Sequence, residues 1–480
     1  MPRARILFLL IAVVAATACR SIPVPTPAPP PTSQPARAGA IEADLIVRAG
    51  TVLTMAGPNI EDGAVAIRGG EILEVGPAAT ILARYQAPDL IDAPEGAMLP
   101  GLVNAHTHVP MTLFRGIADD RDLMDWLENY IFPAEARNVD AEFVRWGTML
   151  AAAEMIRTGT TTFADMYYFE SEIAAATHDV GLRAVLGETM IDFPAPDNKT
   201  WEEAVAYVRR FVANWKDHPL ITPALAPHAP FTVSKEHLLE VRRLASELGV
   251  PILIHVAETE NEVQQVTEST GASPVAYLES IGFLGDDVVA AHTVHLTSDE
   301  IAILARRGVG SAHNPESNMM LASGVAPVPA LLAAGVDVGL GTDGPAGSNN
   351  DLDLISEMAS AARLQKVVRE DPRALSARTA LELATIGGAR ALGLDAKIGT
   401  LEPGKRADLI LIDLSEPGTQ PVYSVESAIV YATDGSHVTT TIVDGRILMR
   451  DKRLLTVDER EVVTRARQYR DSILRSLEAD

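Results

Sequence analysis

Residues 101–108 read GLVNAHTH. An apolar run leads into two histidines spaced i, i+2, and on a strand two such side chains point the same way. The turn LPG at 99–101 precedes the run. His106 and His108 therefore stand at the end of a short strand that opens a new unit. The same texture then returns seven times. Apolar runs end at Asp165 (TTTFAD), Glu188 (RAVLGE), His228 (ITPALAPH), His255 (PILIH), His292 (VVAAH), His313 (VGSAH) and Asp343 (VGLGTD). Helical patterns separate them, for example over 143–157, 235–248 and 300–306. Eight such repeats predict a (β/α)8 TIM barrel, and the span from His106 to Asp343 suits the roughly 250 residues of that fold. Catalytic groups in such barrels sit at the C-terminal strand ends, which is where these ionisable residues fall.

The flanks differ in character. Short β-runs broken by glycine occupy 43–75, and a similar texture returns in ADLILIDL, SAIVYATDG and TTTIVDGRIL near the C-terminus. The division expected is a β-sandwich built from both ends of the chain (42–98 and 403–456), a barrel over 99–402 and a terminal helix over 457–480. Residues 1–18 read as a lipoprotein signal peptide: Arg3 and Arg5, an apolar run from Ile6 to Ala16, then small residues before Cys19. Cys19 is the expected lipidation site, and 19–41 is a proline-rich linker. These features predict export and a lipid anchor on a bacterial membrane, at the periplasmic face of the outer membrane, with no other membrane contact.

Composition excludes several classes. The formal net charge of −24 argues against nucleic acid as a partner. A single cysteine rules out a disulfide within the chain and a thiolate-rich zinc site, including the Pro-Cys-x-x-Cys element of one deaminase class.

Three histidines (His106, His108, His255) and Asp343 can hold one divalent metal, and imidazole with carboxylate suits Zn²⁺ or Fe²⁺. Many barrel hydrolases bridge two metals through a modified lysine after the fourth strand. Here that strand, ITPALAPHAPFTVS, has no lysine. One metal with an open position for water is expected. Glu258 follows His255 by three residues, and His292 opens HTVH after the next strand. Both fall at successive strand ends, placed for proton chemistry. His178, His218, His237 and His437 lie away from strand ends, His295 reads as packing, and His313 has no ligand role left.

The motifs NAHTHVPMTLFRG, HVAETENEV, AAHTVHL, SAHNPESNMMLASGVAPV and GLGTDGPAGSNNDLDL resemble the amidohydrolase superfamily. More narrowly, they are similar to the S-adenosylhomocysteine/5′-methylthioadenosine deaminases. The resemblance covers roughly 43–470. It implies that Trp126 lines a purine pocket, that Glu135 binds ribose hydroxyls and that His228 touches the nucleoside. It further implies that Asp343 acts as base and substrate contact, Glu258 as proton donor and substrate contact, and His292 as stabiliser of the attacking oxygen. A zinc-dependent deaminase of adenine nucleosides, often a homodimer, is the expectation. Where some members carry an arginine for the amino acid carboxylate, this chain has Glu188, with Lys199 nearby. That favours 5′-methylthioadenosine, adenosine and 5′-deoxyadenosine, with S-adenosylhomocysteine behind them. The competing readings are deamination of a free base (guanine, a pterin, cytosine), triazine hydrolysis, and a lipoprotein that only binds a metal or nucleoside.

Overall fold

Eight parallel strands run in chain order: β1 (Leu102–Thr107), β2 (Thr160–Tyr167), β3 (Arg183–Met190), β4 (Ile221–Pro227), β5 (Ile252–Val256), β6 (Val288–His292), β7 (Gly310–His313) and β8 (Val338–Leu340). Each pairs with the next in parallel register. A parallel bridge between Thr107 and Asp343 joins the last to the first and closes the barrel, with Asp343 N donating to the His106 carbonyl at 3.0 Å. Asn104 reinforces this seam. Its Nδ2 donates to Thr342 Oγ1 at 2.8 Å, and its Oδ1 accepts from Thr342 N at 3.1 Å. Gly341 is required there, because a Cβ would lie 2.3 Å from Asn314 Oδ1 and 2.9 Å from the His106 nitrogen. The computed structural model describes residues 39–477.

Helices alternate with the strands, including Ala141–Thr158, Lys235–Leu248 and Ser298–Arg307. Their starts carry the expected signals: Asp140, Ser234 and Thr297 each accept a backbone N–H from the first turn. Inward-facing residues such as Val103, Met166, Val185, Ala224 and Leu253 pack with Ala389, Leu392 and Ile398. The chain after the barrel thus plugs the end where the strands begin and leaves the other end open.

The two flanks merge into one eight-stranded sheet. Its central strand, Asp89–Pro100, pairs with Leu45–Val52 on one side and Leu409–Asp413 on the other. Val47, Val65 and Ile67 from the first half share a core with Leu409, Leu411 and Ile442 from the second, so the sheet folds over as a sandwich. Asp89–Pro100 hands over to β1 after one residue, and helix Glu459–Leu477 follows the last strand.

The signal reading for 1–18, lipidation at Cys19 and most of the proline-rich linker fall outside the described residues. Among the described residues no helix is long and apolar enough to cross a membrane.

Candidate metal centre and nucleoside cleft

The open end of the barrel gathers the expected residues. His106 and His108 project from β1 together. Each has Nε2 at 3.2 Å from Asp343 Oδ1. His255 Nε2 lies 3.4 Å from His108 Nε2. The second ring nitrogens of two of these histidines are engaged elsewhere. His108 Nδ1 donates to the Met166 carbonyl at 2.5 Å and His255 Nδ1 to the His228 carbonyl at 2.7 Å. Such backbone anchors fix the tautomer and aim Nε2 inward. The buried His106 Nε2 makes no hydrogen bond. Asp343 lies three residues beyond β8, in the left-handed region at φ 63°, and Ser317 Oγ donates to its Oδ2 at 2.7 Å. Ligand atoms of His106, His108 and Asp343 all fall within 4.8 Å of one another, as do those of His106, His255 and His292. This donor set fits a divalent metal ion.

His292 is set apart by its surroundings. The amide nitrogens of Asn318 and Asn314 lie 3.0 and 3.3 Å from its Nδ1. With both amides donating, Nδ1 is the acceptor, so the proton sits on Nε2. Nε2 lies 3.6 Å from Glu258 Oε2. Burial pulls the ring down to about 3, so it is a neutral N–H donor. His292 also holds φ 72°. Left-handed residues other than glycine cluster at functional sites when the surroundings fix them.

Burial, then the charges of Asp343 and Glu262, push Glu258 well above the usual carboxylate range. Ser323 Oγ donates to its Oε1 at 3.2 Å. His295, expected only to pack, donates from Nε2 to the Ser323 carbonyl at 2.7 Å and so supports that contact. Burial lowers His106 and, more strongly, His255. Asp343 is also pushed up by burial, but the close approach of the His106 and His108 rings outweighs this and holds it well below the usual range. For His108 burial is likewise outweighed, by Asp343 and Asp165, and its pKa rises to about 9.

That last value has a measurable consequence. At neutral pH the metal-free chain keeps a proton on His108, and a metal ion must displace it. Apparent metal affinity should rise about tenfold per pH unit from pH 6 to 8, flattening near pH 9, with about one proton released on binding. Metal titration at several pH values, with proton release followed by an indicator dye, checks this. A pH-independent affinity would refute it.

A cleft lies over the cluster, open at its mouth. Trp126, Glu135 and His228 border it together with His108, His255, Glu258, His292 and Asp343. Trp126 belongs to the short helix Leu123–Trp126 over the cleft, and its Nε1 donates to the Ala346 carbonyl at 2.8 Å. Gly347, at φ 105°, lets that loop approach, since a Cβ would lie 2.9 Å from Trp126 Nε1. Glu135 is 4% exposed and accepts from the Tyr167 hydroxyl at 2.7 Å, while burial raises it to about 7. His228 Nδ1 faces Thr232 Oγ1 at 2.9 Å, and Thr232 Oγ1 itself donates to the Ala229 carbonyl. His228 therefore donates from Nδ1 and keeps Nε2 as an acceptor. Burial pulls its pKa to about 3.

Sequence reasoning missed the cleft's aromatic walls Phe132, Tyr167, Tyr168 and Phe231, and the supports Ser317, Asn318 and Ser323. The tyrosine doublet at 167–168, where β2 ends, was an available signal. His313 is buried, and neither ring nitrogen has a hydrogen-bond partner among the described residues. Glu188 does not border the cleft. It accepts from Glu170 N at 3.0 Å and Asn198 Nδ2 at 2.9 Å inside the barrel wall. Lys199 Nζ donates to the carbonyls of Ala195 and Pro196. Neither residue lines the cleft.

A model of the amidohydrolase family matches residues 97–448, and a shorter one, an imidazolonepropionase-like composite domain of bacteria, matches 63–85. A 5-methylthioadenosine/S-adenosylhomocysteine deaminase from Syntrophobacter fumaroxidans is 49% identical over 431 residues, 89% of this chain and 98% of that protein. One of the same name from Moorella thermoacetica is 48% identical, covering 87% and 97%. Among solved structures, a zinc-bound adenosine deaminase from Xanthomonas campestris superposes with a TM-score of 0.89 at 43% identity, covering 90% of this chain and 99% of that one.

These relatives correct one expectation. Export and a lipid anchor were read from the N-terminal segment. The named deaminases are matched over 98% and 97% of their own length by 89% and 87% of this chain, and among the described residues no helix is long and apolar enough to cross a membrane. The anchored location is withdrawn.

Proposed function

The chain belongs to the amidohydrolase family, and on that premise we infer that it is a hydrolytic deaminase of adenine nucleosides. It converts 5′-methylthioadenosine, adenosine or 5′-deoxyadenosine to the inosine-type nucleoside and ammonia. One observation carries the reading: a single cleft is bordered both by the histidine–aspartate cluster and by Trp126, Glu135 and His228. We keep in the proposal the division read from the sequence, sandwich 42–98 and 403–456, barrel 99–402 and a terminal helix from 457 onward, described over Glu459–Leu477.

In this proposal His106, His108, His255 and Asp343 hold one zinc ion. When bound, such an ion makes water a nucleophile at neutral pH. Asp343, kept ionised by its histidine partners, accepts the proton of the attacking water. Glu258, kept protonated by burial, donates to the purine ring nitrogen beside the reacting carbon. Nε2–H of His292 donates to the oxygen as charge develops there. Asp343 then passes the water proton to the amino group, which leaves as ammonia, while the ionised Glu258 takes the remaining hydroxyl proton as the carbonyl forms and is restored to its acid form. Trp126 covers the purine, Glu135 accepts from the ribose hydroxyls, and His228 Nε2 accepts from the nucleoside. Association as a homodimer completes the proposal, and light scattering tests it.

Ammonia release from a panel of nucleosides and free bases is the direct assay. Release from guanine or cytosine but not from nucleosides would overturn the reading. The triazine hydrolases that superpose on this chain are 23–24% identical and share the fold alone. Among the described residues no lysine or arginine borders the cleft, so the carboxylate of S-adenosylhomocysteine meets no cation from them there. The expected kcat/KM for 5′-methylthioadenosine exceeds that for S-adenosylhomocysteine by about tenfold, the effect of ~1.4 kcal/mol. Equal values would show that the 5′ end is read elsewhere.

A further inference from the structure

Glu262 falls outside the ligand and proton-transfer set, yet it is 3% exposed and borders the cleft. It lies in the first turn of helix Glu260–Thr270, whose cap is Thr259, with Thr259 Oγ1 accepting from Glu262 N at 3.1 Å. In a reciprocal capping box, a glutamate at this position returns its carboxylate to the N–H of the capping residue. Here it reaches further back. Glu262 Oε1 accepts from Ala257 N at 2.9 Å, and Oε2 accepts from Glu258 N at 2.6 Å.

The segment it grips is strained. Ala257 holds φ 55°, in the left-handed region, which a non-glycine residue keeps only where its surroundings enforce it. The Ala257 carbonyl is gripped from the other side by Val294 N and His295 N, each at 3.0 Å. The peptide leading into Glu258 is thus fixed at its N–H by Glu262 and at its carbonyl by the chain leaving β6. The metal ligand His255 is anchored independently, through its ring to the His228 carbonyl.

We propose that Glu262 is a positioning residue for the deamination: its carboxylate fixes the backbone from which Glu258 presents its acid to the purine ring. This rests on the reading of Glu258 as the proton donor. Glutamine at 262 keeps one acceptor but turns an amide NH₂ toward the other N–H, whereas alanine leaves both buried N–H groups unpaired. Misplacement of a catalytic group by about 1 Å can lower rate by about 10²-fold. Losses in kcat of about tenfold for Glu262→Gln and about hundredfold for Glu262→Ala are therefore expected, with KM and metal content unchanged.

The experiment measures kcat and KM for 5′-methylthioadenosine, and bound metal, in the wild type and in Glu262→Gln, Glu262→Ala, Glu258→Gln and Glu260→Ala. The last is an exposed control on the same helix turn. Wild-type kcat in Glu262→Gln overturns the proposal, as does metal loss in step with activity, or a rise in KM alone. Glu262→Gln decides the matter if the alanine variant does not fold. Should Glu258→Gln turn over like wild type, the reading of Glu258 itself fails. Should it be inactive while both Glu262 variants are normal, only the present inference fails.

Discussion

Glu258→Gln is expected to lower kcat for adenine nucleosides by about 10³-fold or more while bound metal stays at the wild-type level, near the upper end of what one acid–base group contributes. Glutamine preserves the shape of the side chain and can still accept from Ser323. What it lacks is a transferable proton. The native carboxyl is suited to hold one, because burial and the negative charges of Asp343 and Glu262 all disfavour its ionised form. Its raised pKa keeps the acid form populated at higher pH than an exposed glutamate would allow. Activity should therefore fall with rising pH as Glu258 ionises, and the residual activity of Glu258→Gln should lack that alkaline limb. Glu258 lies outside the expected ligand set, so metal content separates loss of chemistry from loss of the site. Full turnover by metal-loaded Glu258→Gln would move the proton donor to another residue.

The barrel was legible because each unit writes its own signal, an apolar run ending in an ionisable residue, and parallel strands buried on both faces need such runs. His106, His108, His255 and His292 were legible for the same reason, since a residue at a strand end is placed by the strand. Asp343 was less secure from pattern alone, because it lies three residues past β8 and reaches the histidines only through the Gly341 close approach and its own left-handed backbone. The supporting groups were harder still. Asn318 and Ser317 reach the site from helix Pro315–Met320, and Ser323 from the loop beyond it; nothing in their local pattern marks them. Glu188 was legible as a strand-end carboxylate, but its direction was not. The same alternation that sends His106 to the mouth turns Glu188 into the wall, where Asn198 and a backbone N–H satisfy it. Position along a strand is local information, whereas side-chain partners are set by packing across the fold.

The ion pair that ties barrel to sandwich was wholly hidden for that reason, and its removal should produce the largest stability effect. Arg183, at the start of β3, donates to Asp408 through Nε at 2.8 Å and Nη2 at 3.2 Å, although 225 residues separate them. Both side chains are almost fully buried, at 4% and 2% exposure. Nη1 donates to the Pro219 carbonyl, and Asp408 also accepts from the Asp444 N–H at 2.7 Å. Asp408→Ala strands a guanidinium that Asp444 meets only at 3.4 Å. Breaking one partner of a buried pair costs about 3–5 kcal/mol, chiefly the penalty of the remaining uncompensated charge. For a chain of this size that corresponds to a fall in Tm of roughly 3–5 °C. Arg209 and Glu247 form a pair of similar length at 46% and 59% exposure, and Glu247→Ala should leave stability nearly unchanged because solvent screens an exposed pair. The double variant Arg183→Leu/Asp408→Leu removes both charges together, so it should recover much of the loss in Asp408→Ala. Thermal unfolding of the four metal-loaded proteins decides the point. If the double variant is as unstable as Asp408→Ala, the fall comes from lost packing or lost backbone hydrogen bonds at the junction, and the stranded charge is not its cause.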